Sequence, residues 1–158
     1  MISSPERLRL ALYQPDIAQN TGAMLRSCAC FGAAASIIGP TGFPSSDRHF
    51  RRAGMDYLDQ VTIDRHDSWR AFEEWRRAAG RRLVLLTTKA ATAHWDFAFA
   101  AGDVLLVGRE SAGVPDEVHA AADARLRIPI RPATRSLNVS VAAGIVISEA
   151  LRQIGADF

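Results

Sequence analysis

Three short blocks carry the residue types that could do chemistry. The first is Asn20-Thr21-Gly22-Ala23-Met24-Leu25-Arg26. The second is Gly108-Arg109-Glu110-Ser111-Ala112-Gly113-Val114-Pro115. The third is Ile128-Pro129-Ile130 followed by Ser136-Leu137-Asn138-Val139-Ser140. Taken singly, each has a plain structural use. Asn20 and Thr21 suit a helix cap, as do Ser136 and Asn138. Gly108 and Gly113 suit loop positions with positive φ. Together, each block stands where a strand should end, and ligands of parallel α/β sheets bind at the carboxyl ends of the strands. Other common chemistries leave no mark. There is no phosphate-binding G-x-x-x-x-G-K-[ST], no G-x-G-x-x-G after the first strand, no H-E-x-x-H and no C-x-x-C. No G-x-S-x-G elbow is present. His49, His66, His94 and His119 are scattered and read as surface or structural residues.

The elements that must position these blocks follow from hydrophobic patterning. Arg9 to Tyr13 read as a strand stopped by Pro15 and Asp16. A helix over 21–31 places Met24, Leu25, Cys28 and Phe31 at helical spacing and ends at Gly32. Ala35–Ile38 reads as a second strand. A short basic helix capped by Ser46 or Asp47 follows, with Arg48, Arg51 and Arg52 on it. Val61–Ile63 is a further strand, and a helix capped by Asp67 or Ser68 carries Trp69, Phe72 and Trp75. Leu83–Leu86 and Val104–Val107 are the short apolar runs of buried strands. Arg125–Ile130 alternates as a strand, and the last helix spans 138–154. Asn20 then follows the first strand, Thr87 ends Leu83–Leu86, Gly108 ends Val104–Val107, and 129–136 follow the Arg125 strand. Strands alternating with helices predict an α/β fold with a mainly parallel sheet flanked by helices.

The chain has 158 residues, 48% hydrophobic and 23% charged, ordinary for one soluble domain. No repeat or long linker divides it, so a single domain over residues 1–158 is expected. The net charge is only +2, and Lys89 is the only lysine. The arginine excess fits either bidentate binding of phosphate or the codon bias of a GC-rich genome. Cys28 and Cys30, about 200° apart on a helix, suit neither a disulfide nor a metal pair and read as small buried residues. With no leader, no long apolar span and no disulfide framework, the expected compartment is the cytoplasm. The last helix is apolar nearly all round from Val139 to Leu151. It therefore reads as buried all round, one side covered by a partner in a homodimer of twofold symmetry; the other possibility is a helix threaded into the monomer core.

In this order and spacing, N-T-G-x-x-x-R, G-x-E-x-x-G-x-P and I-P-I…S-L-N-x-S resemble the three motifs of the SPOUT superfamily of RNA methyltransferases. The likeness covers nearly the whole chain. Arg51-Arg52-Ala53-Gly54-Met55-Asp56-Tyr57 and Leu86-Thr87-Thr88-Lys89 look like the TrmL branch, whose members methylate the wobble ribose of tRNA. The resemblance implies a SPOUT-type domain with a C-terminal trefoil knot, a rare exception to unknotted chains. It implies S-adenosyl-L-methionine (SAM) as methyl donor, with no metal. Its cofactor site would be Leu86, Thr87, Gly108, Glu110, Gly113, Ile128, Ile130, Ser136 and Leu137. The catalytic set would be Arg26, Asn20, Ser136 and Asn138, with Arg26 supplied by the subunit opposite the bound donor. Family members are homodimers through the last helix. The expected reaction is methyl transfer to the ribose 2′-hydroxyl of the wobble pyrimidine in the anticodon stem-loop of tRNA. The alternatives are another RNA ribose, in rRNA or elsewhere in tRNA, and a non-catalytic SAM- or RNA-binding dimer. Arg48, Arg51 and Arg52 could contact the RNA phosphates, with binding that weakens in salt. A merely solvated basic helix is the other reading.

Overall fold

The apolar runs become strands because both of their faces are covered. A computed structural model describes residues 6–156, with strands β1 (Leu8–Tyr13), β2 (Ala34–Ile38), β3 (Ile63–His66), β4 (Leu83–Leu86), β5 (Thr92–Ala93), β6 (Asp103–Val107) and β7 (Ala124–Arg127). Its helices are α1 (Ala18–Phe31), α2 (Arg48–Gly54), α3 (Trp69–Ala78), α4 (Asp116–Ala121) and α5 (Val139–Ile154). Short 3-10 turns cover Met55–Gln60 and His94–Asp96. The strands form one sheet in the order β3-β2-β1-β6-β4-β7-β5, and every pairing is parallel. Leu10 stands opposite Ala35 on one side and Leu105 on the other. The expected α/β architecture is therefore present.

Side chains alternate across each strand. Leu8, Leu10 and Leu12 of β1 join one core with Met24, Leu25 and Cys28 of α1 and Val146 and Ile147 of α5. Ala11 and Tyr13 join the other, with Phe72 of α3 and Val118 of α4. Burial on both faces explains why Leu83–Leu86 of β4 and Val104–Val107 of β6 read as unbroken apolar runs rather than alternating ones.

Charges tie neighbouring strands together and brace α3 internally. Buried Arg9 donates to Ala35 O (3.0 Å) and Ser36 Oγ (2.8 Å), and pairs with Glu6 (2.7 Å) and Asp64 (2.8 Å). Arg76 pairs with Glu73 (2.6 Å), and Arg82 with Asp103 (2.7 Å). Buried ion pairs hold only where hydrogen bonds complete them, as they do here. These three arginines are thus structural.

Several local expectations shift. Helix α1 begins at Ala18, so Asn20 and Thr21 lie inside its first turn rather than capping it; extended Ile17 is the cap residue. The third strand begins at Ile63, not Val61. The β7 ladder stops at Arg127, short of Ile130, because Pro129 has no N–H to donate. Cys28 is buried and its thiol is pushed up to about 12 by that burial, but Cys30 is exposed. Within one chain the last helix buries Ala143, Val146, Ile147 and Ala150 and leaves Val141 50% and Ile145 37% exposed, an open side of the kind for which a partner was expected. Asp47 does cap α2, accepting from the amides of His49 (2.8 Å) and Phe50 (3.3 Å), and Ser68 caps α3.

Candidate active site

The carboxyl ends of the adjacent strands β6, β4 and β7, with the start of α5, enclose a cleft of about 510 Å³. That volume lies within the roughly 300–1,000 Å³ usual for small-molecule sites. Every residue assigned to the cofactor lines it: Leu86, Thr87, Gly108, Glu110, Gly113, Ile128, Ile130, Ser136 and Leu137. Asn20 and Asn138 join them. Three blocks separated in sequence thus meet at one place.

Each wall has a local cause. β6 ends at Val107, and the chain closes a tight loop in which Arg109 N–H donates to Gly113 O (3.1 Å) and Gly113 N–H to Arg109 O (2.9 Å). Gly113 has φ +63, which suits glycine. Gly108 is required for a different reason than expected. Its φ is not positive; instead a Cβ there would lie 2.8 Å from the Gly113 carbonyl carbon. This close approach leaves main chain bare at the cleft wall. Leu86, Ile128, Ile130 and Leu137 supply apolar walls.

At the opposite rim, Asn138 caps α5 by accepting from Ser140 N–H (2.8 Å). With that oxygen committed, its amide nitrogen donates to Asn20 Oδ1 (3.1 Å). The start of α1 and the start of α5 are joined there. Ser136 and Leu137 lie in the loop just before, exposed to the cleft mouth.

Glu110 is held by a residue the sequence reading used only as a strand stop. Asp16 Oδ1 accepts from Glu110 N–H (3.2 Å), its Oδ2 accepts from the Ser111 hydroxyl, and Asp16 N–H donates to Glu110 Oε2 (3.4 Å). Burial, and then the facing Asp16, push the Glu110 carboxyl above its usual range, while the hydrogen bond from Glu110 holds Asp16 below its own. Two carboxyls facing each other pull their pKa values apart in this way. Glu110 Oε1 is buried with no hydrogen-bond partner among the described residues, an acceptor that a ligand could satisfy. Arg109, Thr88 and Val114, which stand inside the quoted stretches but were given no role of their own, also line the cleft. Their proximity to the motif residues was the available signal.

Arg26 is not in this cleft. It lies on the exposed side of α1, with its guanidinium 4.9 Å from the Tyr57 ring centroid, a cation–π distance. Arg48, Arg51 and Arg52 are likewise outside the cleft, exposed on α2, which packs against α1. Among the described residues no group of three or more His, Cys, Asp and Glu is placed to hold a metal, and no helix is long and apolar enough to cross a membrane.

Comparison with known proteins agrees on one family. Residues 7–148 match the SpoU rRNA Methylase family. The chain is 67% identical over 147 residues to a tRNA (cytidine(34)-2′-O)-methyltransferase of Beijerinckia indica subsp. indica, covering 93% of this chain and 92% of that protein. A solved structure described as giving insights into the 2-OH methylation of C/U34 on tRNA superposes with a TM-score of 0.89. It is 40% identical, over 95% of this chain and 97% of that one. The SpoU methyltransferase AviRb of Streptomyces viridochromogenes, in complex with AdoMet, superposes with a TM-score of 0.87 at 27% identity, over 96% of this chain and 62% of that one.

Proposed function

The chain belongs to the SpoU rRNA methylase family, and from that membership we propose that it transfers a methyl group from SAM to the ribose 2′-hydroxyl of the wobble pyrimidine at position 34 of tRNA. The observation that carries the reading is the convergence of all three motif blocks on one cleft, in a chain 67% identical to a cytidine-34 2′-O-methyltransferase.

The cleft suits the donor. Apolar walls from Leu86, Ile128, Ile130 and Leu137 fit a purine face, and the bare backbone at Gly108 and Gly113 lets main-chain groups approach its edges. When bound, SAM supplies an electrophilic methyl on a sulfonium centre. The chain's task is to bring a hydroxyl into line with that methyl, and alignment of two bound reactants can supply several kcal/mol of the barrier. Asn20, Ser136 and Asn138 hold the ribose at the rim of the cleft, where the Asn20–Asn138 hydrogen bond fixes two of them relative to each other. Arg26 binds the adjacent phosphate and polarises the hydroxyl. A guanidinium stays protonated in proteins, so Arg26 acts as a donor, and the proton passes to phosphate or water. Arg48, Arg51 and Arg52 hold the phosphates of the anticodon stem.

The active form is a homodimer formed through α5. Two features support this: the exposed apolar face of Val141 and Ile145, and the placement of Arg26 away from its own chain's cleft. A second copy across a twofold axis covers the first and supplies the second. The strand order supports a C-terminal trefoil knot, because β7 lies between β4 and β5, two strands that precede it in the chain. One domain over the whole chain does this work, in the cytoplasm.

The decisive experiment is transfer from labelled SAM to total tRNA, followed by nuclease digestion and nucleoside mass spectrometry, with Arg26→Ala as control. A 2′-O-methylpyrimidine from position 34, absent with the variant, is expected. Label in rRNA instead, or none in any RNA, would overturn the reading.

A further inference from the structure

At the end of β1 the backbone is driven off the sheet line. Gln14 has φ +41, a conformation that a residue other than glycine keeps only where its surroundings hold it. Its amide is pinned to Ile38 O (2.8 Å). The next residues are gripped from behind. Gly42 N–H donates to Pro15 O (2.9 Å), and a Cβ on Gly42 would lie 2.9 Å from Asp16 Cα. The strained turn and the tight glycine contact fix where the Asp16 carboxylate points. It points at the loop between Gly108 and Gly113, which it meets through the Glu110 amide (3.2 Å) and the Ser111 hydroxyl. Asp16 N–H returns a bond to Glu110 Oε2 (3.4 Å). Neither Asp16 nor Ser111 lines the cleft, whereas Gly108, Arg109, Glu110 and Gly113 do.

We propose that Asp16 is a positioning residue of the methyl-transfer site, holding the Gly108–Gly113 loop in the shape that grips the methyl donor while touching neither donor nor RNA. The inference rests on the methyltransferase reading. It follows from the one-sided layout: the loop's cleft face is donor-binding wall, and its outer face is tied down by one carboxylate. A carboxylate accepting an amide and a hydroxyl makes charge-assisted bonds, stronger than neutral ones. Without them the loop samples other conformations, and apparent donor affinity falls by the fraction of time the gripping shape is lost.

The test is calorimetric titration of SAM together with steady-state kinetics on tRNA, for wild type, Asp16→Ala, Asp16→Asn and Ser111→Ala. Asp16→Ala is expected to raise the Kd and KM for SAM about tenfold, the effect of a gripping shape populated about one-tenth of the time. The KM for tRNA and kcat at saturating SAM stay at wild-type values. Ser111→Ala, which removes one of the three contacts, raises the SAM KM by less. Asp16→Asn keeps a neutral acceptor for the Glu110 amide but loses the charge, and recovers only part of the loss. Wild-type SAM affinity in Asp16→Ala overturns the inference and leaves the methyltransferase reading standing. An equal loss in kcat and in the KM for both substrates would mean general damage to the fold and overturns it too. A wild-type chain that takes up no SAM overturns both.

Discussion

Asn138 donates its side-chain amide to Asn20 Oδ1 at 3.1 Å, linking residues 118 positions apart. One side chain thereby does two things, because the other end of the same amide caps α5 through Ser140 N–H at 2.8 Å. The two roles separate by substitution. Asn138→Ala loses both, and loss of a cap costs about 0.5–2 kcal/mol, a fall in Tm of a few degrees for a chain of this size. Asn138→Asp keeps the cap acceptor but offers no donor to Asn20. It is expected to melt near wild type and yet lose at least tenfold in kcat. Thermal melts beside methyl-transfer rates check this; equal activity in Asn138→Asp and wild type would remove Asn138 from the machinery.

Arg26 should separate chemistry from donor binding. It stands outside the cleft of its own chain, packed over Tyr57. Arg26→Ala is expected to lower kcat by about a hundredfold or more, the scale of removing a group that acts in the transition state, with SAM affinity by calorimetry unchanged. Arg26→Lys keeps the charge but not the planar fork and should recover only part of the rate. Normal turnover in Arg26→Ala would refute the assignment.

The α2 arginines make a salt-dependence test. Arg48, Arg51 and Arg52 sit at i, i+3 and i+4, all exposed, so one helix face presents three charges. Each phosphate contact removed should lower the slope of log K against log salt by about 0.7–0.9. Arg51→Ala with Arg52→Ala is therefore expected to weaken tRNA binding at low salt and flatten that slope by roughly 1.5. An unchanged slope would mean a solvated helix and nothing more.

How far the sequence could be read follows from the range of the forces involved. Leu83–Leu86 was legible to the residue because a strand covered on both faces must be an apolar run. Arg125–Ile130 misled because its alternation continues past the point where Pro129 removes a donor. The two-residue strand Thr92–Ala93 is too short to carry a period. In α1, local propensity made Asn20 a cap, but the helix opens at Ala18 behind extended Ile17, and the side chain of Asn20 is freed to meet Asn138. The cleft residues were legible as blocks of motif. Asp16 was not, since its partners lie 94 and 95 residues away and nothing local marks them.

The Glu110–Asp16 pair predicts a pH dependence of stability. Burial and Asp16 raise the Glu110 pKa above its ordinary 4.5, so the folded chain keeps a proton that the unfolded chain gives up. Stability from this group is complete below 4.5 and declines as pH rises through the folded value. Asp16 is lowered from 3.8, so its contribution is present above 3.8 and is lost only as pH falls below that. The two windows do not overlap. Glu110→Gln mimics the protonated form and cannot titrate. The Tm of wild type minus that of Glu110→Gln should therefore fall as pH is raised from 4.5 toward neutrality. A difference that stays flat would show that Glu110 titrates as an ordinary carboxyl, and one that grows would show a carboxyl lowered on folding; either refutes the prediction.

The dimer can be tested through catalysis rather than mass alone. Val141 and Ile145 are one helical turn apart and together leave an apolar patch on α5, while Ala143, Val146, Ile147 and Ala150 face the core. Ile145→Asp is expected to give monomers by ultracentrifugation, with methyl transfer lost. Complementation goes further. If Arg26 of one subunit serves the cleft of the other, a chain with Arg26→Ala and a chain with Asn138→Ala fail for opposite reasons. In a mixed dimer, the intact cleft of the first faces the intact Arg26 of the second. Equal mixing with subunit exchange should restore about a quarter of wild-type activity, since half the dimers are mixed and each has one complete site. If instead Arg26 served its own cleft, neither site of the mixed dimer would be whole, and the mixture would stay as inactive as its parents.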